Sequence, residues 1–207
     1  MRRRELLKGF GVLATAAVLL ACHGITADAA DPPVIVLVTY HSATGNTEKM
    51  AQGVAEGAKA VSGTTVVLKR VGDVTSNDLV SSDAVIVGSP VYFANMSGEV
   101  KTFLDNWGLQ SKFDLFRERK MRNKVGGAFA TGAAISNGKE VTMLTIHAAM
   151  LINQMVIVSG GGGFGASATT GPDSPGIDEK ELAEARALGQ RVAEVAAVVK
   201  RGSTKSP

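Results

Sequence analysis

The sequence predicts an α/β domain: an open, doubly wound sheet of five parallel strands. Two observations carry that expectation. Five short, uninterrupted runs rich in valine and isoleucine recur along the chain, as expected of strands covered on both faces. Between them lie segments with apolar or small residues at three- and four-residue spacing, the pattern of crossover helices.

In chain order, the first strand is predicted from Val34 to Thr39 and a helix from Thr47 to Val61. Strands follow at Thr65 to Leu68 and Ala84 to Gly88, then a helix from Ser97 to about Leu109. A fourth strand at Val125 to Ala130, a helix from Glu140 to Asn153 and a fifth strand at Met155 to Val158 complete the sheet. The last helix, Asp178 to Lys200, opens on a capping box of Asp178 and Glu181 and carries Leu182, Leu188, Val192 and Val195 on one stripe. The tail "RGSTKSP" reads as frayed. With 207 residues, 45% of them hydrophobic, the chain suits one well-buried domain, placed at residues 31–207.

Residues 1–30 read as an export signal: a basic start, an apolar stretch too short to span a bilayer, and the small residues of "TADAAD". Arg3-Arg4-Glu5-Leu6-Leu7-Lys8 resembles a twin-arginine signal, and "LLAC", ending at Cys22, resembles a lipobox. Processing is read in two ways, lipid attachment at Cys22 or cleavage after Ala29, and the product is expected in the periplasm or on a lipid anchor. Cys22 is the single cysteine, which leaves none for an internal disulfide, and no metal site is expected. Four of the 22 basic and one of the 19 acidic side chains precede Cys22, leaving 18 of each sign. That balance argues against a nucleic-acid binder, which needs a basic patch or stripe.

In open α/β sheets, ligands bind beyond the carboxyl ends of the strands, so the loops after the first, third and fourth runs draw attention. In the first, "HSATGNTEKM", Ser42, Thr44 and Thr47 offer hydroxyls, Gly45 admits close approach, and the helix that follows points its unpaired N–H groups into the turn. Neither the Gly-Lys-Ser/Thr of a triphosphate loop nor a G-x-G-x-x-G is present. Hydroxyls and amides without lysine or metal ligand suit a terminal phosphate that is held and not hydrolysed. A plain helix cap would need only one of these hydroxyls.

This stretch resembles the phosphate loop of flavodoxins, S/T-x-T-G-x-T, at Ser42, Thr44, Gly45 and Thr47. The resemblance implies that Ser42, Ala43, Thr44, Gly45, Asn46 and Thr47 hold the phosphate of FMN. "SPVYFANMSGEVKTFLDNWG" is similar to the corresponding segment of the WrbA-like quinone oxidoreductases. That similarity implies a flavodoxin-like strand order 2-1-3-4-5 and an isoalloxazine pocket edged by Pro90, Val91, Tyr92, Phe93, Ala94 and Asn95. The residue types agree: Pro90 favours extended backbone before it, Tyr92 and Phe93 provide flat apolar area, and amides beside Ala94 and Asn95 suit a flavin's polar edge. The plainer reading packs the aromatics against the next helix, which Ser97 would cap.

The third loop, "ATGAAISNGKE", matches the family through Thr131 and Gly132 more loosely, and also reads as a surface turn. "GGGGFGASATTGPDSPG" is long for a connection, and its "GFGASATTG" resembles the family's late active-site loop. The family's histidine before the fifth strand is missing: Asn153 and Gln154 stand there. His147, between Leu144 and Leu151, reads as a packed and satisfied side chain rather than a catalytic one. His41 either assists the anion or faces solvent. The basic residues between Lys112 and Lys124 read as a solvated surface, or as a docking patch for an acidic partner. No catalytic side chain is assigned.

The resemblance thus implies an FMN enzyme reducing quinones by two electrons, with NAD(P)H or another reduced donor, a membrane redox partner included, and a homo-oligomer, dimer or tetramer. The alternative is an exported flavodoxin-type electron carrier without a small-molecule substrate. Export bears on this choice, because nicotinamide cofactors are cytoplasmic.

Overall fold

The computed structural model describes residues 33–160, 162–171 and 176–204. The export signal, Cys22 and the cleavage site after Ala29 lie outside the described residues. The elements run β1 (Val34–Tyr40), α1 (Asn46–Lys59), β2 (Thr64–Arg70), α2 (Ser76–Ser81), β3 (Ala84–Tyr92), β4 (Asn95–Met96), α3 (Gly98–Asp105), β5 (Val125–Gly132), α4 (Lys139–Ile152), β6 (Val156–Ile157), β7 (Ala166–Thr169) and α5 (Glu179–Thr204).

The sheet order is β2-β1-β3-β5-β6, the 2-1-3-4-5 order of the flavodoxin-like fold, with β5 as the fourth strand. Continuous valine and isoleucine runs suit β1, β3 and β5 because layers cover both faces. One face carries Val36, Val38, Ile86 and Phe129 against Met50 and Val54 of α1 and Leu188 and Val192 of α5. The other carries Leu37, Val85, Val87 and Ala128 against Phe103 of α3, Ile146 and Met150 of α4, and Trp107, Leu115 and Met121.

Several expectations need correction. The sheet has seven strands: β4 pairs antiparallel with the end of β3, and the fifth position is divided between β6 and β7, both parallel to β5. The small residues of β7, "ASAT", carry no apolar run to mark it. Strand β3 continues past Gly88, so Pro90, Val91 and Tyr92 lie in the strand and not in a loop. Pro90 is tolerated because pairing with β1 stops at Gly88, leaving no acceptor there that needs its missing N–H. Helix α3 ends at Asp105 and not near Leu109. The basic segment after it is pinned underneath by buried Phe113, Leu115 and Met121. Helix α2 is too short to show periodicity, although its capping box of Thr75 and Asp78 was available as a signal. Helix α5 runs on to Thr204, so the first four residues of the tail are helical and not frayed. The capping box of Asp178 and Glu181 is present, with reciprocal bonds of 2.8 and 3.2 Å.

Helices α1 and α5 cross at backbone contact. A β-carbon on Gly57 would collide with the Arg186 carbonyl, and one on Gly189 with the Val54 carbonyl. Gly57→Ala should therefore overpack the crossing and destabilise the fold by about 1–3 kcal/mol, lowering Tm in a thermal melt by about 2–4 °C per kcal/mol. An unchanged Tm would mean that the helices part freely.

His147 is packed as expected, at 7% exposure, but not satisfied: its Nε2 has no hydrogen-bond partner. Burial depresses its pKa below the ordinary histidine value. The unfolded chain therefore takes up a proton near pH 6.5 that the folded chain resists, and stability falls as pH drops below that point. His147→Leu should flatten the loss of urea stability between pH 7 and pH 5; an identical loss in the variant would place its origin elsewhere.

Candidate functional site

Parallel register brings three strand ends to one edge of the sheet: Tyr40 of β1 pairs with Gly88 of β3, and β3 and β5 run on beside each other, with Pro90 paired to Thr131. The loops that follow therefore share one rim of the sheet, at the switch point between β1 and β3.

In the first loop Gly45 adopts φ +89°, the left-handed conformation that favours glycine, and turns the chain into α1. No side chain caps that helix, so its first-turn N–H groups face the loop. Ser42 is buried and its Oγ accepts from Gly45 N at 3.1 Å. Ala43, Thr44 and Gly45 are exposed, and Asn46 Nδ2 donates to Thr44 Oγ1 at 3.3 Å. Thr47, buried, shares a 2.8 Å hydroxyl bond with Thr131, which ties the first loop to the third.

Arg70 was not singled out by sequence reasoning, yet it braces the same loop: it donates to the Ser42 carbonyl at 2.9 Å and to Glu48 at 2.6 Å. Tyr40 donates to Glu48 at 2.9 Å and lies under the guanidinium, 5.5 Å from ring centre to Arg70 Cζ. Burial, then the Glu48 carboxylate, raise the Tyr40 pKa. The cation beside the anion-shaped turn is thus already neutralised by Glu48, and the turn itself offers hydroxyls and amides.

Strands β3 and β4 form a hairpin whose two turn residues, Phe93 and Ala94, have φ of +46° and +65°. Tight hairpins of this kind favour Asn-Gly, so two side chains here are held in a strained turn. The Phe93 side chain is fully exposed, Tyr92 partly so. Neither aromatic is buried against the next helix, as the plainer reading would have it. Three bonds hold the hairpin: Ser97 N donates to Ser89 Oγ at 2.9 Å, Thr145 Oγ1 donates to Asn95 Oδ1 at 2.8 Å, and Asn95 Oδ1 also accepts from Met96 N. Ser97 caps α3 by accepting from Val100 N. His41, read as either assisting the anion or facing solvent, is partly buried: its Nδ1 lies 3.0 Å from Ser97 Oγ and 3.4 Å from Glu99, with its ring edge-on to Tyr92. It joins the first loop to the second.

The third loop closes the rim. Thr131 and Gly132 are the buried end of β5. Gly138 lies against the hairpin, where a β-carbon would stand 2.6 Å from the Ala94 carbonyl oxygen. Behind the loop stands Lys139, which the sequence reading passed over: it is only 4% exposed, and its Nζ donates to the carbonyls of Ala134 and Ile135 at 2.7 and 3.2 Å and to Thr169 Oγ1 at 2.9 Å. A single lysine in a polar loop carries no sequence signal of burial. The late segment "GASAT" meets the site through β7, whose Thr169 pairs with Gly132.

All fourteen residues expected at the site therefore lie along one rim, in the first loop, the β3–β4 hairpin and the end of β5. The match to the family model described as NADPH-dependent FMN reductase spans residues 32–169, and so takes in all three. The chain is similar to an NAD(P)H dehydrogenase (quinone) of Chromohalobacter salexigens, 33% identical over 199 residues, covering 78% of this chain and 96% of the relative. A protein of the same description from Geotalea daltonii is 34% identical over 201 residues, with the same coverage. Among solved structures, a flavodoxin, WrbA-like protein from Agrobacterium tumefaciens superposes with a TM-score of 0.67 at 28% identity, covering 79% of this chain and 97% of that one. A flavodoxin from the domain Archaea, at 23% identity and a TM-score of 0.63, shares the fold. Sequence along the whole relatives and the fold agree that the chain belongs to the NADPH-dependent FMN reductase family.

Proposed function

We propose that this chain binds FMN on the three-loop rim and acts as an NAD(P)H:quinone oxidoreductase. The observation that carries the reading is the uncapped first turn of α1, ringed by hydroxyls and facing a hairpin of exposed aromatics, in a chain of this family. The residues fit the cofactor. The amides at the start of α1, with Ser42, Thr44 and Thr47, would hold the phosphate, assisted by Ala43, Gly45 and Asn46 backbone. Tyr92 and Phe93 would cover the ring, Pro90 and Val91 would shape its edge, and the amides of Ala94 and Asn95 with Thr131 and Gly132 would meet its polar side.

When bound, FMN supplies the carrier that takes up a hydride and delivers two electrons. The chain's own contribution is position and desolvation: the Thr47–Thr131 bond fixes the spacing of two loops, His41 fixes the first against the second, and the exposed Tyr92 and Phe93 would shield a bound ring from water. Such chemistry needs no dedicated acid or base from the protein.

The Arg3-Arg4 segment and "LLAC" ending at Cys22 support an exported form, loaded with FMN beforehand and held in the periplasm, on a lipid anchor if Cys22 is modified. Exposed Leu109, Leu151 and Ile152 around α4 support a homo-oligomer.

Replacing Thr44 and Thr47 together by valine should weaken FMN binding at least tenfold in a flavin-fluorescence titration, because each phosphate oxygen left unpaired costs about 1–3 kcal/mol. An unchanged Kd would remove this loop from the cofactor site. Steady-state assay of the FMN-loaded chain should show NADH or NADPH oxidation that depends on benzoquinone. A yellow protein, reducible by dithionite yet silent in that assay, would favour the electron-carrier reading.

A further inference from the structure

Lysine is an unusual choice at the first position of α4, since the positive end of a helix dipole disfavours a cation there. Burial makes the position harder still, because a charge taken from water normally contacts an opposite charge. Lys139 does not. Its three partners are two carbonyls and a hydroxyl, all neutral, and among the described residues the carboxylates that act on it, Glu140 and Glu181, do so without an ion-pair contact. Burial pulls its pKa below the ordinary lysine value, while Glu140 and Glu181 act in the opposite direction. The residue is also well placed structurally. Loop 132–138 touches the first loop through Thr131 at one end and the aromatic hairpin through Gly138 at the other, and the ammonium anchors its middle to β7.

We propose that Lys139 is a positioning residue for the flavin chemistry, whose buried ammonium fastens the third loop behind the cofactor and sets a fixed positive charge there that favours reduced FMN. The inference rests on the FMN reading above. With FMN bound, hydride transfer from NAD(P)H would leave the nicotinamide oxidised and more positive by one unit and the flavin more negative by one unit until a solvent proton followed, so that electrons and charge balance. A cation largely withdrawn from water acts on that added charge through a medium that screens less than bulk water. Its contacting partners are neutral, so its field is opposed only in part, by Glu140 and Glu181 at longer range, where a contacting carboxylate would oppose it far more.

The test is the two-electron midpoint potential of the FMN-loaded protein, read against a reference dye during slow enzymatic reduction, with FMN affinity and Tm measured alongside. Lys139→Met should shift the equilibrium about tenfold toward oxidised flavin, ~30 mV for a two-electron couple. Lys139→Arg, which keeps the charge, should hold the wild-type potential. Glu181→Gln, which removes a neighbouring negative charge, should raise it. A wild-type potential in Lys139→Met, or an equal fall in Lys139→Arg, would reduce Lys139 to a loop anchor visible only in Tm and Kd. If Lys139→Met takes up no FMN, Glu181→Gln decides, and an unshifted potential there overturns the proposal. A wild-type chain that binds no FMN would sink the cofactor reading itself, an outcome distinct from a yellow protein with an unshifted Lys139→Met.

Discussion

Everything at the rim depends on the parallel register of β1, β3 and β5. Side-chain direction in a strand alternates with every residue, so a slip of one position would turn Thr131 away from Thr47 and exchange the two core faces together. The register is secured by shape as well as burial: Phe129 of β5 lies over its pairing partner Gly88 of β3, where a β-carbon would collide with the ring. Once it is set, three loops far apart in sequence become neighbours, and a 2.8 Å bond between two buried hydroxyls 84 residues apart suffices to lock the first to the third. That bond is in turn effective because neither hydroxyl is exchanged for water.

The rim also shows how charge is deployed around an anion-shaped turn. Arg70 is coupled to Glu48 and to the Ser42 carbonyl, so it shapes the backbone rather than acting as a free cation. Lys139 is buried behind the third loop and reaches the site only through its field. The groups left facing the turn are hydroxyls, amides and a helix end, which suit an anion without the deep well that an exposed lysine or arginine would create.

Most of this was legible in the sequence for a definite reason. Strands covered on both faces must be apolar throughout, and a phosphate turn must combine glycine with hydroxyls; each requirement writes a local pattern. What stayed hidden depends on partners distant in sequence. Strand β7 is a strand only because β5 offers a free edge beyond the short β6, and "ASAT" alone says nothing of it. The link from His41 to Ser97 spans 56 residues, and Ser97 in isolation reads correctly as a helix cap, which it also is. Lys139 sits in "SNGKE", where composition points to an exposed turn, and only the fold reveals carbonyls arranged around its ammonium.

The hairpin at Phe93 and Ala94 sets two selective pressures against each other. Its left-handed turn holds on the order of 1–3 kcal/mol of strain per residue, which glycine or asparagine in either place would relieve. Selection for stability alone would thus drift toward the Asn-Gly turn common in hairpins and erase the aromatic tip in the process. A stabilised descendant of this fold that keeps both side chains would be expected to gain its robustness elsewhere, in the α1–α5 crossing or the cores. The strain in this turn then becomes a marker: where it persists through divergence, the aromatic surface is still in use.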